Sequence, residues 1–372
     1  MTSERLGETV EILKKHQEIY DWAADFDILA DCRCRVLHHR LCDGLDYLKG
    51  MVYMAKCYNG IMGLIVGDAL GVPAEFKPRD TFRITDMTGF GTYNQPPGTW
   101  SDDSSMTLAT IAGIVLRNGV FPNEIMRNFK LWLACAVFTP RGEVFDVGGA
   151  TRRAIDRYIY GDAPQNCGGK TRLDNGNGAL MRILPIALFT SKPSYFSKSA
   201  FDLTTSLLFS EITNTILSVA HLTHAHWISD YACLIYSEIV RNLMNGAEKE
   251  KAVANGIERY IEQINAIGGL AEYGRLAHIR DCSRDEIRSS GYVVDTLEAA
   301  LWCFLTTDSY RECVLAAVNL GEDTDTVAAV AGGLAGIYYG GENGIPAEWI
   351  SQIARKRWID NLCVRFEQMI ER

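Results

Sequence analysis

Two segments of this chain carry glycines at helical spacing within otherwise apolar stretches. One contains Gly60, Gly63, Gly67 and Gly71; the other contains Gly332, Gly333 and Gly336. A glycine inside a helix costs roughly 1 kcal/mol relative to alanine, so it is usually retained where another backbone or a ligand must come close. The two segments therefore read as central helices of a compact multi-helix core. Helical periodicity continues over the rest of the chain. It predicts helices at Ser101–Arg117, Asn123–Val137, Val147–Tyr160, Ser199–Phe209, Ser229–Asn245, Lys249–Ile267, Val294–Leu305, Tyr310–Leu320, Thr324–Tyr339 and Ile353–Glu371. Alternating strand patterns closed by hairpin turns are nearly absent, although Phe82–Thr92 has room for a short extended piece. The expected fold class is all-α.

Two acidic clusters, more than two hundred residues apart, open two of these helices. The first is Gly98-Thr99-Trp100-Ser101-Asp102-Asp103-Ser104-Ser105-Met106; the second is Gly321-Glu322-Asp323-Thr324-Asp325-Thr326. Carboxylates this dense repel one another unless a positive charge gathers them, and oxygen donors suit a hard cation such as Mg²⁺ or Mn²⁺. The plainer reading is helix capping, because Ser and Asp are preferred at the N-cap and acids favour the positive end of the helix dipole. The second cluster is harder to assign to capping alone, since Asp323, Asp325 and Thr326 crowd three oxygen donors into four residues. Both readings stand on these residues alone.

Bulk properties narrow the function classes. A chain of 372 residues allows one large domain or two ordinary ones. Its net charge of −9 argues against an electrostatic grip on nucleic acid or an anionic membrane. Eleven scattered cysteines with no Cys-x-x-Cys pair fit free thiols in a reducing cytoplasm better than a disulfide framework. The N-terminal residues hold no apolar signal core, and the apolar run Ile61–Val72 is too short to span a bilayer and contains Asp68. A cytoplasmic protein is expected.

Three polar or glycine-rich loops have the length of binding elements: Gly89–Trp100, Gly161–Gly178 and Gly268–Gly291. Residues 1–50 look like an extension, with residues 51–372 forming the main domain. In the extension, Cys34, His38 and Cys42 fall on one face of a helix. That spacing matches no closed zinc motif, so a buried stripe explains it better than a metal site.

Five segments, taken in order, resemble the ADP-ribosylglycohydrolases, the family that includes dinitrogenase-reductase-activating glycohydrolase and the ADP-ribosylarginine hydrolases. They are Gly63-Leu64-Ile65-Val66-Gly67-Asp68-Ala69-Leu70-Gly71-Val72-Pro73-Ala74-Glu75-Phe76; Trp100 to Met106; Asp146-Val147-Gly148; Asn177-Gly178-Ala179-Leu180-Met181-Arg182 followed by Thr223-His224; and Gly321 to Gly332. The resemblance implies an all-helical fold with a binuclear Mg²⁺ or Mn²⁺ centre in a cleft. It implies Ser101, Asp102, Asp103, Asp323, Asp325 and Thr326 as metal ligands, with Glu75 nearby. The family usually has threonines where this chain has Ser101 and Ser104; serine keeps the hydroxyl donor.

The same resemblance implies cleavage of the bond between ribose C1″ and a modified side chain, most naturally ADP-ribosylarginine on a protein. Asp146 and Glu75 are the candidates for acid–base work, though Asp146 reads equally well as the N-cap of the Val147–Tyr160 helix. Asn177, Gly178 and Ala179, with Gly148 and Gly149, offer backbone amides to a diphosphate. His224 is implied on the ligand side. Two further readings remain open. One is an immunity protein whose extension, with Trp22, Phe26 and Leu29 among Asp21, Asp25 and Asp27, binds an ADP-ribosyltransferase toxin directly. The other is a Mg²⁺-dependent phosphohydrolase that cuts at the diphosphate.

Overall fold

Helices α1 (Gly44–Gly71) and α12 (Thr324–Tyr339) lie backbone against backbone at the centre of the molecule. The computed structural model describes residues 44–191, 202–340 and 344–371. A Cβ added to Gly63 would fall 2.3 Å from the Gly332 carbonyl oxygen, and one on Gly67 would fall 2.1 Å from that of Ala328. At the site end of the pair, a Cβ on Gly71 would meet the Asp325 Cα at 2.3 Å. Only glycine permits this approach. Tyr310 donates its hydroxyl to the Gly63 carbonyl at 2.7 Å, and Thr324 donates to the Gly71 carbonyl at 2.8 Å. These bonds fix the register of the pair from its middle to its end.

The remaining helices wrap this pair. They are α2 (Asp102–Arg117), α3 (Pro122–Cys135), α4 (Gly149–Ile159), α5 (Leu184–Thr190), α6 (Asp202–Ala220), α7 (Trp227–Met244) and α8 (Lys249–Ala266), then α9 (Leu270–Tyr273), α10 (Val293–Thr306), α11 (Tyr310–Val318), α13 (Ala347–Gln352) and α14 (Lys356–Glu371). Among the described residues there is no strand, and extended pairing is limited to isolated bridges such as Phe90 with Gln95. The all-α expectation holds. Phe82–Thr92 forms no strand of its own.

The helix boundaries show where local patterning is overruled. Thr324–Tyr339 and the start of Lys249–Ala266 fall where periodicity places them. The segment expected as one helix from Ile353 begins at Lys356 instead, because Arg355 sits at φ 56° and separates α14 from the short α13. The helix expected to end at Phe209 runs on to Ala220. Its predicted start at Ser199 lies outside the described residues, as do the Cys34–His38–Cys42 stripe and the aromatic and acidic residues of the extension. Helix α1 itself begins at Gly44 and runs through the boundary at residue 50.

Two anchors bring the second acid-bearing helix to the same end of the molecule. The fully buried Trp100 donates its indole N–H to the Ala354 carbonyl at 3.1 Å, and the Ala354 amide donates to the Gly98 carbonyl at 2.9 Å. Together they seat the entry to α2. Asp68, inside the apolar run of α1, then accepts the Ser101 amide at 2.9 Å and the Ser104 amide at 3.0 Å, both at the N-terminus of α2.

Gly67→Ala should lower unfolding free energy by about 3 kcal/mol or more, since the clash is with backbone rather than with a movable side chain. Gly274→Ala, which meets nothing within 4 Å, should change it by less than about 1 kcal/mol. Denaturant unfolding of both variants checks the contrast. Equal effects would remove the close α1–α12 contact from the account.

Candidate active site

Acids from four parts of the chain converge at one end of the α1–α12 pair. Glu75 follows the short 3₁₀ turn Val72–Ala74 at the end of α1. Asp102 and Asp103 open α2, Asp146 lies in the loop before α4, and Asp323 and Asp325 flank the start of α12. Oxygens of Glu75, Asp146 and Asp325 all lie within 4.8 Å of one another. Asp103 accepts hydrogen bonds from the Ser101 hydroxyl at 3.2 Å and the Thr326 hydroxyl at 3.3 Å, joining the two sequence clusters directly.

Strained backbone sets two of these acids. Phe76, just after Glu75, has φ 61°, and Glu322, just before Asp323, has φ 62°. Non-glycine residues rarely adopt such angles, and they persist where surrounding structure over-determines them. Here the two strained residues hold each other. The Phe76 amide donates to the Glu322 carbonyl at 2.7 Å, and the Glu322 amide donates to the Lys77 carbonyl at 2.9 Å. Asp146 is also left-handed, at φ 54°. It does not cap α4: the N-cap is Gly148, with no side-chain cap, and the Asp146 carboxylate lies with Glu75 and Asp325 instead.

The hydrogen bonding of the cluster is half complete in a regular way. Asp103 Oδ2 is held by Ser101 and Thr326, while its buried Oδ1 has no partner among the described residues. Asp325 Oδ1 accepts the Thr326 amide at 2.9 Å and its Oδ2 is left over. Asp323 Oδ2 accepts the Asn177 side-chain amide at 2.8 Å and its Oδ1 is left over. Glu75 lies against Asp146 and Asp325, and its buried Oε2 has no partner among the described residues. Buried polar atoms in folded proteins are rarely unpaired, so four spare carboxylate oxygens in one place call for a positive partner. An all-oxygen donor set of this kind fits a hard divalent cation.

The electrostatics agree. Burial, and then the neighbouring Asp146, push the Glu75 carboxyl up to about 10. Burial followed by like charges raises Asp102, Asp103 and Asp325 well above the usual carboxylate range, and burial raises Asp323. Asp68 is pushed only to about 6, because the donors of Ser101 and Ser104 oppose its burial. Its place is beneath the cluster, holding the N-terminus of α2 from α1.

The other expected residues lie around this centre. Ser101 is the N-cap of α2 as well as a partner of Asp103, so the capping and acid-cluster readings of it coexist. Gly148 and Gly149 are exposed at the uncapped start of α4. Asn177 belongs with the acids, because its side chain bridges Asp323 and Thr296 and its amide is taken by the Gly291 carbonyl at 3.0 Å. No regular α-helix starts at Gly178 and Ala179; a 3₁₀ turn, Leu180–Arg182, follows them. His224 is buried, with its imidazole edge against Gly178. Sequence reasoning assigned no role to Asp68 or Tyr93. Asp68 carried a signal, an acid inside an apolar glycine-bearing helix. Tyr93, which feels the charges of both Asp146 and Glu75, carried none, since it lies in a Gly/Pro-rich loop.

Comparison with known proteins places this chain among relatives. The family model described as ADP-ribosylglycohydrolase matches residues 51–372. The ADP-ribosylarginine hydrolase Tri1 of Serratia proteamaculans (strain 568) is 33% identical over 308 residues, covering 82% of this chain and 77% of the relative. The ADP-ribosyl-dinitrogen reductase glycohydrolase of Rhodospirillum rubrum is 32% identical over 313 residues, covering 81% of this chain and 91% of the relative. A solved structure described as an ADP-ribosylglycohydrolase-related protein complex matches with a TM-score of 0.67 at 29% identity, covering 85% of this chain and 98% of that one.

The raised carboxyl values fix a sign for stability. Unfolded carboxyls ionise above roughly pH 4, while those in the metal-free cluster retain protons, so the unfolded state is favoured as pH rises toward about 10 for Glu75. EDTA-treated protein should therefore melt lower at pH 8 than at pH 6, and Mg²⁺ or Mn²⁺ should raise the pH 8 melting temperature. Asp325→Asn, which removes one like charge, should flatten the pH slope. A metal-free melting temperature equal at both pH values and unmoved by either cation would contradict this electrostatic picture.

Proposed function

This chain belongs to the ADP-ribosylglycohydrolase family, and we propose that it removes ADP-ribose from modified protein side chains by hydrolysis, with ADP-ribosylarginine as its substrate. The observation that carries the reading is the convergence of Glu75, Asp102, Asp103, Asp146, Asp323 and Asp325 with four buried oxygens to spare. Identity above 30% to two bacterial relatives named ADP-ribosylarginine hydrolase supports arginine as the modified residue. The ligands proposed for a binuclear Mg²⁺ centre, in which Mn²⁺ would also serve, are Ser101, Asp102, Asp103, Asp323, Asp325 and Thr326. When bound, that centre would supply the charge that lets these acids ionise together and would fix the ribose diol and water.

The chain's own groups account for the remaining chemistry. An arginine linked through nitrogen is a guanidinium and departs as neutral guanidine, so the catalytic demand falls on activating water and stabilising an oxocarbenium-like ribose. Asp146, only half-buried, takes the proton of the attacking water on its carboxylate. Glu75 lies beside Asp146, and Tyr93 packs on Phe145, the residue before it. The surrounding carboxylates favour positive charge developing at C1″. The open start of α4, at Gly148 and Gly149, together with Gly178, Ala179 and His224, borders the proposed seat of the diphosphate and its riboses.

Eight described cysteines are free, and no described helix is long and apolar enough to cross a membrane. Both support our placing the protein in the reducing cytoplasm. Nothing described favours a toxin-binding immunity role. Most of the extension on which that reading rests, residues 1–43, lies outside the described residues.

The test is release of free ADP-ribose from an arginine-ADP-ribosylated protein, with Mg²⁺ and with EDTA. Wild type should release it only with the cation, and Asp102→Ala should not release it at all. Asp146→Asn should lower kcat by about a hundredfold or more with little change in KM. Cleavage of a serine-linked substrate in place of the arginine-linked one would overturn the substrate assignment. Release of AMP would mean cleavage at the diphosphate, and so a phosphohydrolase.

A further inference from the structure

A fully buried arginine stands behind the proposed ligand site with no carboxylate partner among the described residues. Arg182 donates through Nη2 to the Thr223 hydroxyl at 2.7 Å and through both terminal nitrogens to the Val219 carbonyl at 3.3 Å. Its guanidinium lies 4.7 Å from the centre of the Phe129 ring. A buried cation with no counter-ion is costly to keep, which makes Thr223, its one side-chain hydrogen-bond partner among the described residues, informative.

The bond order follows from donor and acceptor inventory. A guanidinium only donates, so Thr223 Oγ1 must accept from Arg182. The hydroxyl hydrogen is then free for its other partner, His224 Nδ1, at 2.8 Å. Arg182 and His224 are the only side-chain groups bonded to that hydroxyl among the described residues. If Nδ1 carried the proton instead, two donors would point at one oxygen and the hydroxyl hydrogen would lie buried without an acceptor. Nδ1 therefore accepts and the ring proton sits on Nε2.

That edge of the ring lies against two glycines. A Cβ on Gly178 would fall 2.9 Å from His224 Cε1 and 2.6 Å from the Thr151 hydroxyl, and one on Gly176 would lie 3.6 Å from Nε2. Nε2 has no hydrogen-bond partner among the described residues, although the side chain is only 1% exposed. Thr151 lies in the first turn of α4, and Asn177, between the two glycines, holds Asp323.

We propose that Arg182 and Thr223 are positioning residues that lock His224 as the Nε2–H tautomer, making it a standing hydrogen-bond donor to a ribose or phosphate oxygen of ADP-ribose. The choice of ligand rests on the functional reading above; the tautomer does not. Burial, and then the charge of Arg182, push the imidazole down to about 3, so the ring stays neutral at physiological pH and the donor does not titrate away.

The test is ¹⁵N NMR of full-length protein labelled at histidine, with His224→Gln used to assign the His224 signals. Wild type should show an unprotonated Nδ1 and a protonated Nε2 at pH 6 and at pH 8, and ADP-ribose should shift the Nε2–H resonance. Thr223→Val should mix or invert the tautomers and weaken ADP-ribose binding by about tenfold, whereas Thr223→Ser should keep both properties. An imidazolium or an Nδ1–H tautomer in the wild type overturns the proposal, as does a Thr223→Val variant that keeps tautomer and affinity. The expected tautomer with no response to ADP-ribose would leave the lock standing and overturn the donor role. Loss of hydrolase activity on arginine-linked substrate, with binding and tautomer as expected, would count against the function reading alone.

Discussion

The contact between α1 and α12 is the constraint on which everything else in this molecule rests. Its glycines bring two backbones together, and both acid-bearing ends of those helices come with them. Gly71 lies against Asp325, and four residues after Gly71 the chain reaches Glu75. A larger residue at Gly63 or Gly67 would part the two backbones, and one at Gly71 would press on Asp325 itself. The packing of the core and the composition of the site are thus one requirement, met by the same few residues.

What this packing assembles is unfavourable by itself. Buried carboxylates raise one another's affinity for protons, and the turn at Glu322 and the segment at Phe76 are held in left-handed conformations. Folding pays for local strain and charge repulsion through the large apolar core around them, and functional sites are where such conflict is commonly kept. The conflict has a direction. Each of Asp103, Asp323 and Asp325 uses one oxygen for internal bonds and leaves the other buried and without a partner among the described residues, and Glu75 Oε2 is left in the same state. A site arranged in this way gains most from a cation.

Much of this was legible in the sequence, for identifiable reasons. The glycine spacing in Gly60–Gly71 and Gly332–Gly336 reports close backbone approach, because helical glycine is unfavourable without it. Two dense acidic stretches read as parts of one site, and the Asp103–Thr326 contact joins them. Less legible were features that depend on tertiary position. Asp146 reads locally as a cap, and only the fold turns it toward Glu75. Tyr93 has no periodicity or motif to mark it. Arg355 ends a helical pattern through one left-handed residue that propensity does not foresee. Asn177 was expected to offer its backbone, yet its side chain does more, tying the acid cluster to α10 through Thr296.

The central claim is that these carboxylates assemble around divalent cations at the end of the α1–α12 pair. Anomalous scattering from crystals grown with Mn²⁺ tests it most directly. The account predicts two strong peaks between the starts of α2 and α12, bonded to oxygens of Asp102, Asp103, Asp323 and Asp325. Crystals that bind Mn²⁺ elsewhere and leave this cluster empty, with its acids closed on one another by protons alone, would contradict it.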